Sequence, residues 1–113
     1  MAAQVECVVV LVSCPSQDVA VELARALVEE RLAACGNILP AMRSIYRWEG
    51  AIQDEPEVLL LLKTRSDRAE ALCARVAALH PYQVPEAIAL PIVAGLRPYL
   101  TWVSDQVAPL ETP

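Results

Sequence analysis

The residue pattern predicts a small α+β domain with element order βαββαβ and a short extra helix at its C-terminal end. Three observations predict it. The runs Val8–Val12 and Leu59–Leu62 are apolar at consecutive positions, as central strands are. Two later stretches, from Ser16 and from Thr64, carry apolar side chains at helical spacing. Glu49-Gly50 is a turn signal between two β-forming segments. A length of 113 residues suits one domain, spanning 1–113.

The elements follow in order. Val5 to Ser13 reads as a strand covered on both faces, and Cys14-Pro15-Ser16 breaks it. Ser16 is a good N-cap and Asp18 suits the first turn, so a helix is expected to about Ala34. Its polar face is Asp18, Glu22, Arg25 and Glu29, and Gly36 is placed to end it. Asn37 to Trp48 reads as a strand, bulged or exposed near Pro40. After the turn, the acidic residues and Pro56 are expected to interrupt the return strand, with Asp54–Glu57 on a solvated face. Glu57 to Thr64 is a central strand. Thr64 to Asp67 can cap a second helix with the stripe Ala69, Leu72, Cys73, Val76, His80, which Pro81 stops. Glu86 to Val93 is the fourth strand, and Pro98 opens a last helix carrying Tyr99, Leu100, Trp102 and Val103.

Right-handed crossovers place both main helices on one face of one sheet, the ferredoxin-like arrangement. The other face then meets water, yet the central strands are apolar on both sides. Only the short last helix is left to cover it. A subunit interface is the natural cover, because large exposed apolar patches are rare on monomers. Apolar residues make up 56% of the chain, which points the same way.

Composition excludes other classes. The net charge is −5, and the basic residues form no block, so nucleic acid is not an expected partner. The run Cys7 to Val12 is too short to cross a bilayer. The opening segment carries no basic residue of the kind that starts a secretory signal, so the expected location is the cytoplasm. Cys7, Cys14, Cys35 and Cys73 lack C-x-x-C spacing and are expected as free thiols. The chain has no glycine-rich phosphate loop and no GxSxG elbow, and no enzymatic activity is expected.

Six segments, VVVLVSCP, ERLAACGNILP, SIYRWEG, VLLLLKTR, LHPYQVPEAIALPI and YLTWV, resemble the CutA family in order and spacing. The resemblance covers about Val8 to Val107. It implies a cytoplasmic ferredoxin-like homotrimer linked to divalent-ion tolerance, with copper the ion most often associated. It maps cleft positions onto Trp48, Lys63, Tyr82, Glu86 and Trp102. It maps cysteine and histidine positions onto Cys35 and His80, a soft and a borderline ligand for copper or another divalent cation, with Glu86 a candidate third. A metal-associated cysteine known in some members would fall near Val12 and is absent here. The related architecture of the PII signalling proteins suggests an alternative, an anionic small molecule in inter-subunit clefts with Lys63 as its cation.

Each of these residues also has a plainer role open to it. Cys35 can pack as a small hydrophobe at a helix end. His80 can close the second helix, and Lys63 can reach solvent from its strand end. Tyr46 and Trp48, like Tyr99 and Trp102, suit a core or an interface.

Overall fold

The structure is a computed structural model and describes residues 6–109. The predicted strand start at Val5 lies outside the described residues. The elements are β1 (Cys7–Cys14), α1 (Gln17–Glu29), β2 (Cys35–Trp48), β3 (Ala51–Arg65), a 3-10 turn (Ser66–Arg68), α2 (Ala69–Leu79), β4 (Ile88–Pro91) and α3 (Arg97–Gln106). The strands form one antiparallel sheet of order β2-β3-β1-β4. With two crossover helices, that is the ferredoxin-like topology the element order implies.

Local chemistry sets most boundaries. Ser16 caps α1 by accepting a hydrogen bond from the Val19 amide at 3.2 Å. The helix ends at Glu29, earlier than expected, because Arg31 turns left-handed at φ 61°. Arg31 is held there: its guanidinium donates to the Asp105 and Gln106 carbonyls, and its own carbonyl accepts from the Ala108 amide. Gly36 is therefore not a helix cap. It lies in β2, where a Cβ would come within 2.9 Å of the Ala24 Cβ on α1.

The β2–β3 hairpin closes through Glu49 (φ 50°) and Gly50 (φ 80°), a pair of positive φ values that matches the strand twist. β3 is continuous through Pro56, contrary to the expected interruption. Its 51–57 arm pairs with β2 alone, so a proline leaves no ladder bond unmade on the other side. The expected capping role of Thr64–Asp67 is also not found. Thr64 is buried and donates to the Leu32 carbonyl at 2.8 Å, while Arg65 binds Asp67.

The two sheet faces differ. Under α1 and α2 lie Val8, Val10, Val12, Cys14, Val58, Leu60 and Leu62, packed against Leu23, Leu27, Leu72 and Val76. Each such side chain contributes about 1.5–3 kcal/mol by leaving water. On the opposite face Val9, Leu11, Leu59 and Leu61 are half-buried, and Leu39, Ile88 and Leu90 are exposed. Helix α3 covers one end of that face, where Val103 and Val107 meet Cys7, Ala34 and Ile92. The rest stays open.

Candidate functional site

A β-bulge decides what the open face carries. Leu39 pairs with Leu59, but Met42 pairs with Glu57, so one extra residue enters β2 around Pro40 and Ala41. Ala41 takes φ 64° to make it. The insertion changes parity. Beyond it Met42, Ser44, Tyr46 and Trp48 lie on the face shared with Glu57, Leu59 and Ser13.

There a groove of about 750 Å3 opens, lined by Ser13, Tyr46, Trp48, Glu57, Tyr82 and Glu86 among others. Tyr82 donates its hydroxyl hydrogen to Glu57 Oε2 at 2.6 Å. Burial and then the Glu57 carboxylate push the Tyr82 phenol far above its ordinary value. Tyr46 is raised too, first by burial and then by Glu55 and Glu57. Ser13 Oγ donates to Glu86 Oε1 at 3.3 Å.

His80 packs against Tyr82, with ring centroids 4.6 Å apart. Its Nδ1 accepts from the Tyr82 amide at 3.1 Å, so Nε2 carries the hydrogen and donates to the Ser13 carbonyl at 2.8 Å. Both ring nitrogens are therefore engaged. The ring ties the residues after α2 to the end of β1 and orients Tyr82.

A second cluster sits at the other end of the open face. Lys63 Nζ donates to Asn37 Oδ1 at 2.9 Å and stands 5.7 Å from the Tyr99 ring centre. Cys35 Sγ lies 3.7 Å from the Tyr99 hydroxyl. Tyr99 is raised by burial first and then by Cys35, with Lys63 opposing. Its ring packs against Trp102 at 5.7 Å.

The five expected cleft residues thus divide. Trp48, Tyr82 and Glu86 share the groove, whereas Lys63 and Trp102 belong with Tyr99 at the opposite end. Lys63 and Glu57 are separated along β3 by roughly 20 Å at strand rise.

The expected metal donors divide in the same way. Cys35 pairs with Lys63, while Glu86 and His80 bind Ser13, which pairs with Leu59. That puts about 13 Å of strand between the thiol and the other two. Among the described residues no group of three or more His, Cys, Asp or Glu is poised to hold a metal ion. The residues of one copy do not fit a copper ion. Cys14 supplies no substitute: it faces the helices, fully buried, with its thiol pushed up to about 11 by burial and then by Glu57.

Among the groove residues that went unrecognised in the sequence are Glu57 and Ser13, which hydrogen-bond Tyr82 and Glu86 there. Glu57 was expected on a solvated face, yet it is only 8% exposed. The available signal was alternation: Glu57, Leu59, Leu61 and Lys63 share one strand face.

An antiparallel four-stranded sheet with α1 and α2 on one face, and a groove and α3 on the other, defines a small ferredoxin-like α+β domain. The family model for the CutA1 divalent ion tolerance protein matches residues 8–106, and the chain belongs to that family. It is 55% identical to the divalent-cation tolerance protein CutA of Thermus thermophilus over 97 residues, 86% of this chain and 94% of that protein. It is 46% identical to the chloroplastic CutA of Arabidopsis thaliana, covering 87% of this chain and 54% of that protein. The crystal structure of CutA1 from Oryza sativa superposes with a TM-score of 0.90 at 42% identity, over 95% of this chain and 98% of that one. Among the described residues no helix is long and apolar enough to cross a membrane.

Proposed function

We propose that this chain works as a homotrimer, a cytoplasmic divalent-cation tolerance module that binds its ligand and does not convert it. The carrying observation is the open sheet face. Leu39, Ile88 and Leu90 are exposed on it, beside half-buried Val9, Leu11, Leu59 and Leu61. Such a face is covered most economically by further copies of the chain, and heterologous contacts between successive copies close into a ring. The copy number of three comes from the family resemblance. Family membership supports the cation-tolerance role.

The split of donors fits an assembled site better than a single-copy one. One copy offers Cys35 at one end of the face and Glu86 at the other, so copper held by the assembly draws donors from more than one copy. His80 takes part through its hydrogen bonds to Ser13 and Tyr82 and not through a free ring nitrogen. Native mass spectrometry of the full chain titrated with copper tests both halves. The expected spectrum is a trimer with a whole number of bound copper ions that are lost in Cys35→Ala. A monomer in dilute solution overturns the assembly. A trimer that takes up no more copper than Cys35→Ala overturns the metal reading.

A further inference from the structure

The chain already carries a cation beside Cys35. Cys35 and Lys63 stand opposite each other in the β2–β3 ladder, so their side chains leave the sheet on the same face. Both reach the Asn37 side-chain oxygen: Lys63 Nζ donates to it at 2.9 Å, and Cys35 Sγ lies 4.0 Å from it. Both also reach Tyr99, with Sγ 3.7 Å from the hydroxyl and Nζ 5.7 Å from the ring centre. A metal ion on the Cys35 thiolate would draw its first oxygens from these same two residues, and the ammonium already engages them. The described ion pairs, Arg43–Asp54, Arg65–Asp67 and Arg75–Glu30, supply Lys63 with no carboxylate. Its charge therefore stands uncancelled among the described residues next to the thiol.

Charge then separates the ions that could bind there. A thiolate cancels one positive charge. A cuprous ion on Cys35 leaves no net charge facing the ammonium, whereas a doubly charged ion leaves one, and the repulsion scales with that net charge. The soft sulfur prefers Cu(I) as well, so both effects act in one direction. The Asn37 oxygen and the Tyr99 hydroxyl are neutral and cancel nothing further.

We propose that Lys63 sets ion specificity at Cys35: its ammonium holds the oxygens a metal ion needs, yields them to a singly charged copper ion on the thiolate, and repels a doubly charged one. The inference rests on the proposed role of Cys35 as a copper donor. It requires no surface left open to solvent. The ammonium and the thiol belong to one chain and stay neighbours when another copy covers the sheet face.

Two measurements on the full chain test this, each on the parent, Lys63→Met, Lys63→Arg and Cys35→Ala, with melting curves confirming that the variants fold. Lys63→Met removes the charge and keeps the length, and Lys63→Arg keeps the charge. The first is competition titration with Cu(I) without oxygen and with Zn(II), a redox-inert double charge, read as the uptake lost in Cys35→Ala. Lys63→Met is expected to tighten Zn(II) by about tenfold or more and Cu(I) far less, while Lys63→Arg follows the parent. The second compares the exchange rates of Cys35 with two disulfides, anionic dithiobis(nitrobenzoate) and cationic cystamine, resolved by peptide mass spectrometry. The parent is expected to favour the anion, and Lys63→Met to lose most of that preference. Where parent uptake depends on Cys35, the copper reading stands, and the proposal is overturned if Lys63→Met binds Zn(II) no more tightly or keeps the parent's reagent preference. Uptake in Lys63→Met alone overturns the copper reading for the parent and upholds exclusion by the ammonium. Absence of uptake dependent on Cys35 in every chain overturns both.

Discussion

Two cysteines on opposite sides of the sheet make opposite kinds of thiol. Cys14 faces the helices and has no exposure, and its thiol is pushed up to about 11 from 9.0 by burial and then by Glu57. Cys35 faces the open side, half-exposed beside Tyr99. The thiolate is the reactive form, so a rise of this size cuts the reactive fraction of Cys14 at pH 8 about 100-fold. Limited alkylation with iodoacetamide at pH 8, read by peptide mass spectrometry, is expected to label Cys35 first and Cys14 last. The same shift carries a stability sign. A group whose folded value is raised supports the fold fully below its unfolded value and loses that support as pH climbs through the folded one. The denaturant midpoint is therefore expected to fall between pH 9 and about 11, and Cys14→Ala is expected to flatten part of that fall. Labelling of Cys14 ahead of Cys35 would contradict the burial argument.

At the scale of elements, the legible features were those encoded by neighbours in sequence. Ser16, the Glu49-Gly50 turn and Pro98 act within a few residues, and each does in the structure what its chemistry predicts. The bulge near Pro40 was legible as an irregularity, but its effect on the parity of Tyr46 and Trp48 depends on pairing with β3. Glu57 was misread for a related reason. Its acidic neighbours suggest solvent, while in the structure it is buried and accepts a hydrogen bond from Tyr82, which is remote in sequence. Gly36 was misread because its role is a contact across layers. The helix ends without it, and its missing side chain lets α1 approach β2. The Ala24 Cβ is fixed to its backbone and cannot swing aside from a Cβ placed 2.9 Å away. Gly36→Ala is therefore expected to destabilise the fold by about 1–3 kcal/mol, as overpacking does. Chemical denaturation measures it, and Ala24→Gly in the same chain is expected to restore part of the loss. A neutral Gly36→Ala would mean that the helix and strand separate easily.

On the scale of the whole molecule, shape and surface ask for the same thing. The described chain has a radius of gyration of 15.0 Å and a longest extent of 52 Å, whereas a compact chain of 100 residues has a radius near ~13 Å. The difference is the β2–β3 hairpin, whose arm beyond Val58 has no second neighbour in the sheet. At the opposite edge of the sheet, on β4, Ile88 and Leu90 are 50% and 47% exposed on the open face. In an isolated copy a charge at Leu90 would touch water and change little, since surface substitutions away from special features usually stay within about 0.5 kcal/mol. In the proposed trimer the same charge is buried without a partner, which is strongly destabilising to the interface. Leu90→Arg therefore separates folding from assembly. Sedimentation velocity is expected to find the parent chain at trimer mass and Leu90→Arg shifted to smaller species, with far-ultraviolet circular dichroism still showing the βαββαβ secondary structure. A Leu90→Arg chain that stays trimeric would move the interface off this face, and the apolar surface there would then need another partner.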